Sequence, residues 1–178
     1  KNPNIVLAYG LQRKVEKLEE INLFEKFDFN NFSIIKNTTK KAMRNSMFNP
    51  SQFLVRTELC KKVGGCDERI KFSQEYSLTL KLSVYGNFAK LNYATTILPL
   101  KAPGQISEKK HNQIYRVSKA LELFIEDNPD LDISLKLYAQ RRLTARAWRF
   151  ARRYKKARTL SKWFKLYLIG FFIKKLYI

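Results

Sequence analysis

The stretch KVGGCDERIKFSQEYSLTLKLSVYG, residues 62–86, carries the strongest fold signal in the chain. Thr57 is a plausible N-cap for a short helix, and Gly64-Gly65 predicts where that helix ends, because glycine readily takes the left-handed backbone of helix C-termini. Glu75 follows within a few residues of an acidic pair, Asp67 and Glu68. Glu75 can be a charge that favours a helix start or a base in a reaction, and the rest of the sequence bears on that choice.

A second, stronger helix is predicted from Ser73 over residues 74–85, with Gly86 as its C-cap. Its apolar stripe is formed by Leu78, Leu82 and Tyr85. Three strands are predicted around this pair of helices: Ile5 to Tyr9 ended by Gly10, residues 51–56, and residues 88–100 broken at Pro99. The other predicted segments are a helix over 11–27, an irregular excursion over 28–50, a polar loop over 101–110, a helix over 111–126 and near-continuous helix over 131–178.

Strands that alternate with helices in this way are typical of an α/β domain. Three short strands do not close a core unaided, so we expect part of a larger mixed sheet. The predicted division is residues 1–110 as the α/β part, 111–130 as a packing helix and linker, and 131–178 as a basic amphipathic helical tail. The chain shows no signal-peptide pattern, and its start at Lys1 favours a piece of a longer protein.

The net charge of +20 is unevenly distributed along the 178 residues. All 15 acidic side chains lie in residues 1–135, whereas residues 136–178 hold 14 basic ones and none that is acidic. Such a polycation predicts an anionic partner, either a nucleic acid backbone or an acidic membrane surface.

Few residues in the chain are suited to hold a metal. His111 is the only histidine, and Cys60 and Cys66 are interpreted as small buried hydrophobes in a reducing compartment. The acidic triplet DLD, residues 130–132, follows Asn-Pro and is interpreted as a helix N-cap cluster.

The order of these segments resembles the second half of a family-2 glycosyltransferase with the GT-A fold. The resemblance covers about residues 3–120 and is carried by RTEL (56–59), VGGCDE (63–68), SQEYSLTLKL (73–82) and PGQIS (103–107). Glu75 matches the position of the family's catalytic Asp. Gln74 stands where Glu is usual, Ser77 where a second Asp is common and Lys81 where Arg is common. LPLKAP (98–103) replaces a stretch that often holds Arg and His.

The resemblance implies an inverting, non-processive transfer of a sugar from a nucleotide-sugar donor to a glycan or lipid-linked acceptor, as in cell-envelope glycan synthesis. Glu75 would be the base. Asp67, Glu68 and Gln74 would line the acceptor site, although the residues of the acidic pair by themselves favour a solvated turn. Lys101, Gln105 and Ser107 would contact the diphosphate. A divalent metal, Mg or Mn, is expected with its ligands outside this chain.

The basic tail is interpreted as a helix lying in the plane of an anionic membrane, on the cytoplasmic face. The residues predicted to face the membrane are Arg142, Arg146, Arg149, Arg153, Trp148, Trp163, Phe171 and Phe172. An apolar stripe of Leu143, Ala147, Phe150 and Tyr154 lies one position away from the basic one. Two alternatives stay open: a nucleic-acid-binding module that uses the same polycation, and a non-catalytic glycosyltransferase remnant. The sequence does not determine the oligomeric state.

Overall fold

A computed structural model describes residues 2–16, 30–70, 73–100, 113–154 and Lys165. These residues form a mixed α/β structure with one four-stranded sheet and five α-helices. The strands are β1 (Ile5–Val15), β2 (Phe32–Ile35), β3 (Phe53–Val55) and β4 (Asn87–Pro99). The helices are α1 (Thr38–Arg44), α2 (Thr57–Lys62), α3 (Gln74–Ser83), α4 (Gln113–Glu126) and α5 (Ile133–Tyr154). The predicted α/β class is therefore confirmed.

The sheet has the order β2-β4-β1-β3, with the two long strands in its centre. β1 and β4 are parallel, and the shorter β2 and β3 pair antiparallel to them at the two edges. Burial is complete where the central strands cross below the helices, at Val6, Leu7 and Phe88. Parallel strands are usually covered by the helices of their crossover connections, and here α3 lies in the connection that leads into β4.

β1 is longer than the sequence predicted, and the predicted helix is wrong for residues 11–15. The strand passes through Gly10 and continues to Val15, because Leu11 to Val15 pair with Ala94 to Pro99 of β4. A Cβ atom at Gly10 would collide with the side chain of Thr95, so glycine here permits close approach of the strands instead of ending one. Residues 17–27 of the predicted helix lie outside the described residues.

The predicted irregular excursion over 28–50 is also wrong. Its described part contains β2, α1 and the first residue of a 3-10 turn, Pro50–Gln52. The start of α1 is held by the Thr38 hydroxyl, which is 2.8 Å from the carbonyl oxygens of Ser83 and Gly86. Because those carbonyls lie at the end of α3, the two helices run in opposite directions side by side.

Helix α3 separates two clusters of buried side chains. Leu78 and Leu82 pack toward the sheet with Val6, Leu7 and Phe88. Tyr76 and Leu80 pack toward α1, α4 and α5. The predicted stripe is confirmed at Leu78 and Leu82 but wrong at Tyr85, which lies beyond the helix and is 43% exposed. The helix is therefore a central element of the core, buried on two sides.

Helix α5 packs on α4 and α1, and its buried positions include Ala139, Leu143 and Ala147. The apolar stripe predicted for this helix is confirmed at Leu143 and Ala147, so one face of the described basic helix belongs to the core. The side chains of Phe150 and Tyr154 lie outside what the structure describes. Among the described residues, no helix combines the length and the apolar character that crossing a membrane requires.

Candidate functional site

Glu75 lies in the first turn of α3, the position the sequence singled out. Its side chain is half-buried, and burial raises the pKa of this carboxyl above its ordinary value. Within the described part of the chain, its carboxylate has no hydrogen-bond partner other than its own backbone N–H. A carboxylate in this setting is kept partly away from water without being neutralised, which is the condition that favours proton transfer.

The chain reaches Glu75 through a residue with unusual backbone geometry. Ser73, the N-cap of α3, has a φ of 61° and a ψ of 38°, in the left-handed region that non-glycine residues seldom adopt. The Ser73 side chain does not cap the helix, although its carbonyl accepts hydrogen bonds from the N–H groups of Tyr76 and Ser77. The sharp turn fixes where α3 starts, and it therefore fixes the direction from which Glu75 projects.

Asp67, predicted to line an acceptor site, is buried and fully engaged by Arg69. Its Oδ1 accepts from the backbone N–H and the Nε of Arg69 at 3.0 and 2.9 Å, and its Oδ2 accepts from Nη2 at 2.7 Å. Arg69 also binds Asp127 at the end of α4. Hydrogen bonding from Arg69 lowers the pKa of Asp67. Asp67 is thus not part of a solvated turn, and its oxygens are already used.

The remaining acceptor-side candidates differ from Asp67. Glu68 is exposed, and Gln74 is exposed with its amide 3.4 Å from the carbonyl of Ile70. Arg56 has a structural role. It donates to the carbonyl oxygens of Ile5 and Asn2 at 2.7 and 2.8 Å and so joins the start of β1 to the end of β3.

The double-glycine turn is tied to α3 close to Glu75. Gly64 and Gly65 both have positive φ, and the Gly65 N–H donates to the Cys60 carbonyl at 2.9 Å, as predicted for a helix end. Lys81 of α3 donates to the carbonyl of Gly65 at 3.2 Å. The predicted burial of the two cysteines is wrong for Cys66, which is exposed, and Cys60 is half-buried. Partial desolvation raises the pKa of the Cys66 thiol, and Cys60 adds to this, whereas the charge of Lys81 opposes it. The hydrogen bond from Lys81 therefore joins the double-glycine turn to α3.

Arg146 was predicted to face a membrane, and that prediction is wrong. It is 5% exposed and lies under α1 and α3 in the core. Its Nη1 donates to the Val117 carbonyl at 3.1 Å, and its Nη2 lies 3.2 Å from the Met43 carbonyl and 3.0 Å from the Tyr76 hydroxyl. Its guanidinium also stands 5.4 Å from the centre of the Tyr76 ring. The end of α1 supplies carbonyl oxygens that stabilise a cation, which explains why an arginine is buried here.

The other tail residues have different positions. Arg142 is half-buried and donates to the Arg44 carbonyl at 2.7 Å; burial lowers its pKa, as does the charge of Arg146. Arg149 is exposed, and its contact with a membrane stays a prediction. The side chains of Trp148 and Arg153, and the whole of Trp163, Phe171 and Phe172, lie outside what the structure describes. The same holds for the three predicted diphosphate contacts, Lys101, Gln105 and Ser107.

The described residues contain no group of three His, Cys, Asp or Glu side chains that could hold a metal ion. The acidic triplet is a helix start: the Asp132 Oδ1 accepts from the N–H of Ser134 at 2.7 Å, and this bond lowers the pKa of Asp132. The expectation that metal ligands lie outside this chain stays a prediction.

Comparisons with known proteins give no match for this chain, whether the comparison is with protein-family models, curated proteins or solved structures.

Proposed function

We propose that the chain is the acceptor-side part of an inverting, non-processive glycosyltransferase with a GT-A-like fold, and that Glu75 is its catalytic base. The observation that carries the proposal is the state of Glu75: half-buried, with a raised pKa, and unpartnered in the described residues. The left-handed Ser73 just before it adds support, because strained backbone in non-glycine residues is concentrated at functional sites.

In the proposed reaction, the acceptor hydroxyl loses its proton to the Glu75 carboxylate while its oxygen attacks the anomeric carbon of the donor sugar. The new carbon–oxygen bond forms as the bond to the diphosphate breaks, and the nucleoside diphosphate leaves with the electron pair. Attack from the face opposite the leaving group inverts the anomeric centre. A raised carboxyl pKa makes Glu75 a stronger base near neutral pH than an exposed glutamate.

The donor side of the reaction is assigned to residues outside the described ones. A divalent metal, Mg or Mn, would neutralise the leaving diphosphate when bound. As the resemblance implies, its ligands would lie outside this chain; the described residues hold no group of three His, Cys, Asp or Glu side chains that could bind it. The substrates proposed are a nucleotide-sugar donor and a glycan or lipid-linked acceptor of the cell envelope.

The proposed location is the cytoplasmic face of an anionic membrane, to which the basic C-terminal region binds. In the described part of α5, exposed Arg149 supports this placement and buried Arg146 does not. The attraction therefore depends mainly on cations outside the described helix, each of which contributes about 1 kcal/mol near an anionic leaflet.

The proposal is tested by a Glu75→Gln variant in the chain together with any longer protein of which it is a part. The assay supplies nucleotide sugars, Mg or Mn, and lipid-linked or glycan acceptors, and it measures released nucleoside diphosphate and glycosylated product. Loss of the base should lower the rate by about 10²- to 10⁴-fold without changing the fold. The matched control is Glu58→Gln, which alters an exposed first-turn glutamate in α2 and should retain full activity.

Two results would contradict this assignment. Equal rates for Glu75→Gln and wild type would leave Glu75 as a helix-start charge only. An inactive wild-type protein that still binds donor or acceptor would favour the non-catalytic remnant.

A further inference from the structure

A small cavity of about 170 Å³ lies where the end of α1 meets α4 and α5. Its lining residues are Asn45 and Ser46 just after α1, Val117 of α4, and Arg146 and Arg149 of α5. None of the lining residues that the structure describes is acidic. The volume exceeds the roughly 30 Å³ of one water molecule but is below the roughly 300–1,000 Å³ of drug-sized sites. The cavity therefore suits a group of a few atoms, and its charged wall is positive.

Arg146 brings a buried positive charge to this cavity without a counter-ion. The residue is 5% exposed, and its guanidinium donates to three backbone carbonyls and the Tyr76 hydroxyl, all of which are neutral. Among the described residues, no carboxylate forms a salt bridge with it. Arginines are almost never fully buried unless they are paired, because removing an unpaired charge from water is costly. A ligand with negative charge would supply the missing partner.

A second arginine of α5, one helical turn earlier, also lacks a partner. Arg142 donates from Nη2 to the Arg44 carbonyl at 2.7 Å, but its buried Nε has no hydrogen-bond partner among the described residues. The Nη2 of Arg146 lies 3.3 Å from the same carbonyl, so the two guanidinium groups share an acceptor. Burial lowers the pKa of Arg142, and the charges of Arg146 and Arg149 act in the same direction. The three arginines therefore repel one another, and a bound anion would relieve that repulsion.

The groups that line the cavity fit a phosphate better than a carboxylate. Arginine presents its N–H donors in a planar fork that matches two oxygens of either anion. Two arginines from different helical turns can contact separate oxygens of a tetrahedral phosphate, whereas a carboxylate has only two oxygens in all. The Asn45 amide adds two N–H donors, while the Ser46 hydroxyl already donates to the Phe48 carbonyl at 2.9 Å. A phosphate monoester also carries nearly two negative charges at neutral pH, which suits a site with several cations.

We propose that the cavity between α1, α4 and α5 binds a single phosphate group, with Arg146 as its inner and Arg149 as its outer cationic partner. The phosphate belongs either to a small soluble molecule or to a lipid headgroup, since the two present the same chemistry. The cavity contains none of the residues assigned to sugar transfer, so the inference does not depend on the proposed transferase activity. Only its lipid arm rests on the proposed membrane location.

The test is an NMR titration of the chain with sodium phosphate at neutral pH, with sodium acetate at matched ionic strength as the control anion. The methyl signals of Val117 report the cavity, and we expect saturable shifts with phosphate but not with acetate. Arg149→Met should weaken phosphate binding about three- to fivefold, because an exposed ion pair is screened by solvent. Arg141→Met is the matched control, since it removes an exposed arginine of α5 that does not line the cavity, and it should change the affinity by less than about 1.5-fold.

The role of Arg146 is tested without a substitution, because its variants are expected to lose stability. Phosphate should raise the melting temperature of the wild-type chain more than acetate does, since a ligand that binds only the folded state stabilises it. Glu75→Gln should bind phosphate normally, so failure of the transferase assay and failure of this test are distinguishable.

Vesicles of phosphatidylcholine with and without phosphatidic acid separate the two sources. Sedimentation with phosphatidic acid vesicles that inorganic phosphate inhibits, and that Arg149→Met weakens more than Arg141→Met, assigns the site to a lipid headgroup. Saturable phosphate binding without such competition assigns it to a soluble phosphate. The proposal is overturned if phosphate gives no saturable shifts, if acetate binds as tightly, or if Arg141→Met weakens binding as much as Arg149→Met.

Discussion

Asp67 and Glu75 are both carboxylates beside the double-glycine turn, but their surroundings act on them in opposite directions. Asp67 is more deeply buried, and Arg69 neutralises it and lowers its pKa. Glu75 is only half-buried, but burial raises its pKa because no cation in the described residues binds it. The comparison shows that burial alone does not identify a reactive carboxylate. A buried carboxylate that a cation binds stabilises the fold, whereas one without such a partner can take part in a reaction.

The same distinction applies to two arginines of α5. Arg146 is buried and donates to three backbone carbonyls and to the Tyr76 hydroxyl. Arg149, one turn later, is exposed, and among the described residues its side chain bonds within its own helix, to the carbonyl of Ala145 at 3.3 Å. We therefore expect the partnered groups, Asp67 and Arg146, to control stability, and Glu75 to have little effect on it.

The largest effect is expected from Arg146→Met. Methionine fills much of the space but leaves the surrounding acceptors without a donor. Each buried acceptor without a donor lowers the free energy of unfolding by about 1–3 kcal/mol. We expect the free energy of unfolding to fall by about 3 kcal/mol or more, measured by urea denaturation. Arg149→Met is the matched control and should change it by less than about 0.5 kcal/mol. Equal losses in the two variants would show that Arg146 is not the partnered residue.

Arg146 also shows what a sequence pattern leaves undetermined. Arginines at helical spacing predict an exposed basic face, and that interpretation is correct for Arg149. The acceptors that stabilise Arg146 come from Met43 and Arg44, about 100 residues earlier in the chain. No local pattern contains that information. One signal was present, since Arg146 lies directly between Leu143 and Ala147 on the buried side of α5.

The elements that the sequence predicted correctly are those set by the backbone preferences of nearby residues. The elements it missed are set by pairing with strands distant in the chain. The double-glycine helix end and the end of β4 at Pro99 follow from residues with strong backbone preferences. The second half of β1 was interpreted as helix because Val15, Leu18 and Ile21 are spaced like the apolar face of an amphipathic helix. Its strand conformation is imposed by β4, which is more than seventy residues away.

A smaller loss of stability is expected from Asp67→Asn. The variant loses charge-assisted hydrogen bonds to an arginine that is half-exposed, so the cost should be about 1 kcal/mol. Because the folded-state pKa of Asp67 is lowered, its contribution is present above the unfolded value of 3.8 and is lost as the pH falls through the folded-state pKa. Urea denaturation of wild type and variant from neutral to acidic pH should therefore converge. A difference that persists in acid would mean that packing, not the carboxylate charge, is responsible.

The smallest effect, and the one whose sign matters most, is expected from Glu75→Gln on stability. If Glu75 only complements the helix dipole, the substitution costs about 0.3–1 kcal/mol. If the cost of burying the Glu75 carboxylate is larger than its gain from the helix dipole, the substitution stabilises the fold instead. A folded-state pKa above the unfolded value of 4.5 means that the contribution of Glu75 is favourable below that value and is lost as the pH rises through the folded-state pKa. Glutamine should then raise the free energy of unfolding at neutral pH by less than about 1 kcal/mol, with no gain in acid.

The control is Glu58→Gln, at an exposed first turn, which should lower the free energy of unfolding by a few tenths of a kcal/mol. Thermal denaturation at neutral and acidic pH measures both, and a loss for Glu75→Gln equal to that for Glu58→Gln would remove the physical basis for calling Glu75 a base.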